Sequence, residues 1–590
     1  MPHVVIDGKT FEAEPNKTII EVAFENGLDI PHFCWHPELS VSGNCRMCLV
    51  EVGMPKRMPD GSFEKDADGK NIIGFIPKLQ IACATGITDG MHVKTKSDGV
   101  VTAQEAVMEF ILINHPLDCP ICDEAGQCKL QEYAFIHTNG ESRFDDVKNH
   151  KDKRVSWGPN VLFDAERCIT CSRCIRFANE VAKQPVLTFV QRGDKVTIKT
   201  FEGTELDSPY SMNVIDICPV GALTSKDFRF KSRVWDMSFN DSICPGCSRG
   251  CNIKIGVRNN EILRLEPKAN PFVNKFWMCD YGRLTQYQNT NGNRISEPKI
   301  LLDGNQKLST WQEALSDANQ KLSAISSKKI MVLGSPFATN EDNYILSIFA
   351  KKVLKTENID FYKFEDNLFS DDKLKTNDRT PNSAGALAVG ISTGSHHVTV
   401  NNLVEKIKTG EITALYSIDN SLERFPELIS VLDELELFIL HSENESAASQ
   451  KANIVFPSST FAEIEGTFTN FENRVQHFMP AVITAENLRF MGMKMSRLDK
   501  FGADNDRWTK HDLRHSRQHW RILQQLANMM NAGWSYTSTE DIFDAIVEHI
   551  DQFKGMSYEL LDEYQGLKFM KASSPEAKKR IYQSHYLKPN

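Results

Sequence analysis

Cysteine is absent from residues 280–590, although fifteen cysteines stand before position 280 in a chain of 590 residues. An odd number crowded into one half makes a poor disulfide framework and points to metal or redox chemistry in a reducing compartment. No two of the 33 glycines are separated by a single residue, so a G-x-G-x-x-G dinucleotide fingerprint is impossible, and no Walker A sequence occurs. No apolar run approaches the ~18 residues of a membrane span. The first residues carry neither the apolar core of a signal peptide nor the Arg/Ser-rich look of a transit peptide. Positive charge is not in excess: the formal net charge is −10, which argues against a nucleic-acid binder. What remains is ordinary soluble composition, 41% hydrophobic and 25% charged, in a chain long enough for several domains. A cytoplasmic or peripheral cytoplasmic-face location is the expectation.

The cysteines sort into four sets. In the first, residues 3–13 read as two strands joined at Asp7-Gly8. Thr18 to Glu21 has the form of a capping box, with Gly27 as the stop. A loop follows with Cys34, Cys45 and Cys48, and then Cys83, spaced C-x10-C-x2-C-x34-C. Three thiolates in one loop and a distant fourth is the arrangement of a plant-type [2Fe–2S] site, although the first gap exceeds C-x4-C. Gly43 and Asn44 suit a backbone wrapped closely around sulfide. Residues 53–74, rich in Gly, Asp and Lys, read as a hairpin excursion. A zinc ribbon is the competing reading, and it usually shows two C-x2-C knuckles.

In the second set, Thr102-Ala103-Gln104-Glu105 reads as a capping box opening a helix from Ala106 that ends before Pro116. His115, Cys119, Cys122 and Cys128 then give H-x3-C-x2-C-x5-C, one imidazole and three thiolates for a [4Fe–4S] site or, alternatively, zinc. The third set is Cys168, Cys171 and Cys174 with Cys218-Pro219. Two-cluster ferredoxins repeat C-x2-C-x2-C-x3-C-P, the last cysteine of each run serving the other cluster. Here Ala178 replaces the fourth cysteine of one run, and Ser208, Ser211 and Val214 replace the first three of the other. The survivors are the four ligands of one cluster and the losses are the four of its twin.

The fourth set, Cys244, Cys247, Cys251 and Cys279, is spaced C-x2-C-x3-C-x27-C. Alternating Ile253, Ile255 and Val257, a turn at Asn259-Asn260, and then Ile262 and Leu263 read as a hairpin behind it. The spacing and the ending Cys279-Asp280-Tyr281-Gly282-Arg283 resemble the [4Fe–4S] domain that opens molybdopterin oxidoreductases. All fifteen cysteines are then used, leaving none for catalysis.

The order of the four sites, with Asn44 to Glu51 and His115 to Cys122 reading N-C-R-M-C-L-V-E and H-P-L-D-C-P-I-C, resembles the large iron–sulfur subunit of bacterial respiratory complex I, the NADH–quinone oxidoreductase. The resemblance spans about residues 1–290. It implies one [2Fe–2S] and three [4Fe–4S] clusters, the first three on the route from flavin towards quinone and the fourth off it. It implies a translocase-class oxidoreductase in which this chain transforms no substrate and binds no FMN or NAD of its own. The partners would be the flavin/NADH-binding subunit and the quinone-side iron–sulfur subunits, with the complex at the cytoplasmic face of the bacterial inner membrane. A subunit of a related soluble NAD-linked formate dehydrogenase or hydrogenase is the alternative.

The expected fold is multidomain α+β and α/β. Residues 1–97 would form a [2Fe–2S] ferredoxin β-grasp, 98–150 a [4Fe–4S] domain with one histidine and three cysteine ligands, 151–236 a degenerate bacterial-ferredoxin domain and 237–293 the molybdopterin-oxidoreductase-type cluster domain. Residues 294–590 would form a truncated, degenerate molybdopterin-oxidoreductase-like α/β scaffold. In that last region, residues 330–333, 414–418 and 437–440 read as buried strands. Glu465-Gly466-Thr467-Phe468-Thr469-Asn470, running on to Arg474-Val475-Gln476, and Trp520-Arg521-Ile522-Leu523 resemble molybdopterin-oxidoreductase segments. Asn473 stands where glycine is usual, a place open to Asn's tolerance of positive φ. No molybdopterin is expected, because no cysteine is available to the metal; a Ser or Asp ligand stays open. His511, His515 and His519 fall at i, i+4, i+8 among Arg514, Arg517 and Arg521, which predicts an exposed basic helix face rather than a metal site. The tail from Lys568, with six Lys/Arg against Glu576, reads as a docking tail or a solvated end.

Overall fold

The computed structural model describes residues 1–392, 398–419, 421–487 and 513–574. They form two compact units, one of residues Met1–Asp236 and one from Met237 onward.

The first unit opens on a hairpin, His3–Ile6 with Lys9–Glu12, turned by Asp7 and Gly8 at φ 47° and 82°. Met91–Lys94 runs parallel to the first strand and antiparallel to Leu49–Pro55. The helix Ile19–Glu25 carries the Thr18/Glu21 capping box and buries Ile19, Ile20, Val22 and Ala23. This is the β-grasp arrangement of sheet and helix, with Cys34, Cys45 and Cys48 in the loop between helix and third strand. Residues 53–74 do form a hairpin: Gly53 pairs with Phe75 and Pro55 with Ile73, and bridges Arg57 to Phe63 and Lys65 to Asn71 continue it.

The next helix starts earlier than the sequence pattern predicts. It runs Asp98–Leu112 with Ser97 as its cap, the hydroxyl accepting from the Val100 amide at 3.4 Å. Thr102 and Glu105 lie inside it, so no capping box opens at Thr102. The burial of Val100, Gln104 and Met108 at four-residue spacing shows why: the packed stripe begins before the first apolar run. A three-stranded sheet (Leu223–Ser225, Val161–Phe163, Val155–Ser156) and the short helix Arg173–Arg176 complete this unit's ferredoxin-like portion.

In the second unit, Ser238–Ile243, Asn252–Arg258 and Glu261–Pro267 make an antiparallel sheet, turned by Asn259 and Asn260 at φ 52° and 60°. A seven-stranded sheet follows whose centre, Ile454–Pro457, Leu437–Ser442, Ala414–Ser417 and Ile330–Leu333, is parallel. These strands are buried on both faces, which is why they read as unbroken apolar runs. Helices Trp311–Ala324, Asn340–Ile348, His519–Met529 and Thr539–His549 supply one core, and Val400–Lys408 with Pro426–Ile429 another. Gly466–Thr469 and Arg474–Phe478 form a hairpin, joined by Leu567–Lys568. Asn473 sits at φ 60° in its turn.

The histidine expectation fails. Residues 513–518 are not helical, and the helix begins only at His519. His515 is exposed, His519 is buried, and His511 lies outside the described residues. The tail is also less free than expected at its start: Lys568 pairs in a strand and bonds Glu472 at 3.1 Å. Residues 575–590 lie outside the described ones. Among the described residues no helix is long and apolar enough to cross a membrane.

Candidate metal centres

In the first set the four thiols act on one another: Cys45 and Cys83 on Cys34, and Cys83 on Cys48. Interaction with Cys45 and Cys83 holds the Cys34 thiol well below its ordinary value, while the same interaction pushes Cys83 up. The loop reaches this convergence through left-handed residues: Gly43 at φ 64° and Arg46 at φ 60°. A Cβ on Gly43 would also stand 3.1 Å from Ile81 Cδ1.

The third set lines a pocket with Cys168, Cys171, Cys174 and Cys218, and Phe163, Ile198 and Leu223 are its apolar wall. Thr170 and Ser172 at φ 54° and 63° turn the C-x2-C-x2-C loop so that its cysteines face inward. The Thr170 amide donates to Cys168 Sγ at 3.4 Å. Burial pushes the Cys168 thiol up to about 12. A buried thiol of that kind is a proton-bearing group until a metal displaces the proton.

The second set is looser. Cys119, Cys122 and Cys128 act on one another's charge, and burial pushes Cys128 up to about 12. Cys119 is exposed. Burial, with Arg167 and Lys148 beside it, pushes the His115 imidazole down to about 4, so it is neutral and keeps a lone pair. The tie between His115 and the cysteines runs through Arg167, whose charge acts on both His115 and Cys122.

The fourth set, in the second unit, lines a pocket with Cys244, Cys247, Cys251 and Cys279. The Gly282 amide donates to Cys279 Sγ at 3.3 Å, and a Cβ on Gly282 would lie 3.0 Å from Cys244 Sγ. The segment from Glu465 to Gln476, which forms the Gly466–Thr469 and Arg474–Phe478 hairpin, holds this loop. Asn470 Nδ2 donates to the Arg249 carbonyl at 3.3 Å, and Gln476 Nε2 donates to the Gly250 carbonyl at 3.0 Å.

Among the described residues no three His, Cys, Asp or Glu side chains gather round one point as a single ion requires. The third and fourth sets instead line a pocket with soft sulfur donors, and backbone amides address the sulfurs. That is the donor chemistry of an iron–sulfur cluster, and the residues present fit it.

Sequence spacing did not reveal how the sets adjoin. Within the first unit, Arg176 Nη2 donates to the Cys34 carbonyl at 2.5 Å and to the Cys171 carbonyl at 3.4 Å. Arg173 Nη2 donates to the Trp35 carbonyl at 2.5 Å, and Asn44 Nδ2 to the Thr170 carbonyl at 3.0 Å. The first and third sets are therefore stitched together. The segment after Cys218 leans on the second set: Cys128 Sγ meets the Pro219 carbonyl at 3.9 Å, and a Cβ on Gly221 would stand 2.1 Å from Cys122 Sγ. The third set therefore adjoins both the first and the second. Both arginines, Asn44 and Gly221 carry this arrangement. Arg173 and Arg176 each stand two residues after a cysteine of the C-x2-C-x2-C run, the one local sign that could have drawn attention to them.

Sulfur-lined sites on ferredoxin-type folds place the chain in the class of multi-centre iron–sulfur proteins. Family models agree. A 2Fe-2S iron–sulfur cluster binding domain matches residues 3–98, the NADH–ubiquinone oxidoreductase-G iron–sulfur binding region 104–143, and the NADH–quinone oxidoreductase subunit 3 ferredoxin-like domain 158–224. The molybdopterin oxidoreductase Fe4S4 domain matches 237–288 and molybdopterin oxidoreductase 367–489. NADH–quinone oxidoreductase subunit 3 of Thermus thermophilus is 37% identical over 61% of this chain and 47% of its own length. The G subunit of the NADH–quinone oxidoreductase of Rickettsia bellii is 37% identical over 60% of this chain and 48% of its own. A solved NAD+-reducing [NiFe]-hydrogenase aligns with 26% identity over 40% of this chain and 91% of that one, at a TM-score of 0.33, too loose to define a common fold. Over the region that these relatives cover, the chain is similar to the large iron–sulfur subunits of NADH–quinone oxidoreductases. It spans about half the length of the curated relatives it matches.

Proposed function

We propose that this chain is an electron-relaying subunit of an NADH–quinone oxidoreductase. It would hold a [2Fe–2S] cluster on Cys34, Cys45, Cys48 and Cys83. Three [4Fe–4S] clusters would sit on His115/Cys119/Cys122/Cys128, Cys168/Cys171/Cys174/Cys218 and Cys244/Cys247/Cys251/Cys279. The observation that carries the reading is the complete use of fifteen cysteines in four sets, three of them linked by the contacts of Arg176, Pro219 and Gly221.

Each cluster when bound supplies one-electron redox chemistry without bond-making on a substrate. The chain's own residues do the rest. Their thiolates and His115 fix position, the Thr170 and Gly282 amides place positive dipoles at sulfur, and Phe163, Ile198 and Leu223 keep water from the third site. Arg173 and Arg176 fix the separation between the first and third loops. The flavin-bearing and quinone-side subunits would be the partners, at the cytoplasmic face of the membrane. The second unit's α/β portion would serve as a scaffold without molybdopterin.

Anaerobic metal and sulfide analysis of the purified chain tests this. The four sets predict about 14 iron per chain with matching acid-labile sulfide and no molybdenum. Zinc without iron would sink the reading, and stoichiometric molybdenum would make the second unit an enzyme in its own right.

A further inference from the structure

The loop over residues 366–379 belongs to none of the ligand motifs, yet it is fastened to the fourth. It is organised by Asp371, whose Oδ1 accepts the amides of Lys373, Leu374 and Lys375 at 2.9, 3.0 and 3.1 Å. Arg249, between Cys247 and Cys251, donates from Nε to the Leu374 carbonyl at 2.9 Å and from Nη2 to the Lys373 carbonyl at 3.3 Å. The neighbouring Ser248 adds its amide to the Asp378 carbonyl and its hydroxyl to Thr376 Oγ1, both at 2.9 Å. Four hydrogen bonds from two residues of the cysteine loop therefore fix this segment in place.

What the fastening delivers is Lys375. Its side chain is 13% exposed and lines the same pocket as the four cysteines. The ammonium stands 4.8 Å from the centre of the Phe369 ring, which lines that pocket too. Asp371 pairs with it at 3.7 Å but does not line the pocket, so the cation is the nearer charge. Four thiolates already make the site strongly anionic, and adding an electron makes it more so. A cation held at the edge of a poorly hydrated pocket favours the reduced state by Coulomb attraction.

We propose that Lys375 is a positioning residue that raises the electron affinity of the fourth site. This rests on the reading that Cys244, Cys247, Cys251 and Cys279 hold a cluster. The test is an EPR-monitored redox titration of the full iron-loaded chain as wild type, K375M, K375Q, K375R and C279A. C279A identifies the fourth signal as the one it abolishes. In K375M and K375Q that signal's midpoint should fall by about 59 mV, a tenfold loss in the one-electron equilibrium, while the other midpoints stay fixed. K375R, which keeps the charge, should stay near wild type. A fourth signal whose midpoint is unchanged in both neutral variants overturns the proposal. If C279A removes neither signal nor iron, the ligand reading itself falls, and the proposal with it.

Discussion

Gly221 shows how much one missing methyl can carry. It follows a cysteine of the third set by three residues, yet the atom it would crowd belongs to the second. A Cβ there would lie 2.1 Å from Cys122 Sγ and 3.0 Å from Glu124 Cβ. The second separation is tight and the first is impossible, so the G221A side chain must displace Cys122. The expected outcome is loss of the second site's EPR signal and about 4 iron per chain, with the first and third signals retained. Full iron in G221A would show that Cys122 does not serve as a ligand. Nothing in the local spacing of Cys218-Pro219-Val220-Gly221 marks this role, because the contact bridges residues about a hundred positions apart. The same holds for Arg176, which reaches back to the Cys34 carbonyl across 142 positions. The ligand sets were legible because thiolate spacing within a loop is local; their adjacency was not, because it is made by tertiary contacts.

At the scale of the element, legibility followed burial. The strands Ile330–Leu333 and Leu437–Ser442 stand out because every residue in them is buried, so no polar alternation interrupts them. The turn Asn259-Asn260 is readable because asparagine tolerates positive φ at both positions. The start of the helix Asp98–Leu112 was placed about two turns late, at Ala106, because a capping-box pattern occurs inside it, while its true cap, Ser97, precedes a polar Asp-Gly pair. The loop over 366–379 had no readable pattern, since Asp371 organises it through backbone amides available to almost any residue. Asn473 supports a prediction here. It holds φ 60° in the Gly466–Phe478 hairpin, and its described bonds are made by the backbone, to the Asn470 carbonyl at 2.9 Å and from the Phe569 amide at 3.0 Å. N473V should destabilise by about 1–2 kcal/mol because an ordinary side chain resists the left-handed region, whereas N473G should lose little. Scanning calorimetry of the two variants separates these outcomes, and equal losses would place the requirement in the side chain instead.

At the scale of the molecule, the second unit places two histidines in its interior. His441 and His519 stack with ring centres 5.2 Å apart and Nδ1 atoms 3.0 Å apart, and Tyr416 meets His441 Nε2 at 2.8 Å. Burial holds both imidazoles below the ordinary histidine value. For His441 the charge of His519 adds to that effect, and for His519 the carboxylate of Asp342 opposes it. The unfolded chain protonates both near pH 6.5, while the native unit leaves them neutral. Below that pH the unfolded state binds more protons, so stability is fully present above it and falls as the solution is acidified. His477, held up at about 9, and Glu341, held up at about 7, titrate in the same unit, so the pair is read as the difference in thermal midpoint between wild type and H519Q, which should be flat above about pH 7 and change steadily from there towards pH 5. H519Q keeps a hydrogen-bonding side chain but does not titrate, and it should lower the midpoint at neutral pH. A difference between wild type and H519Q that is independent of pH over this range would mean that the pair is already protonated in the folded state, with a carboxylate such as Asp342 balancing the charge.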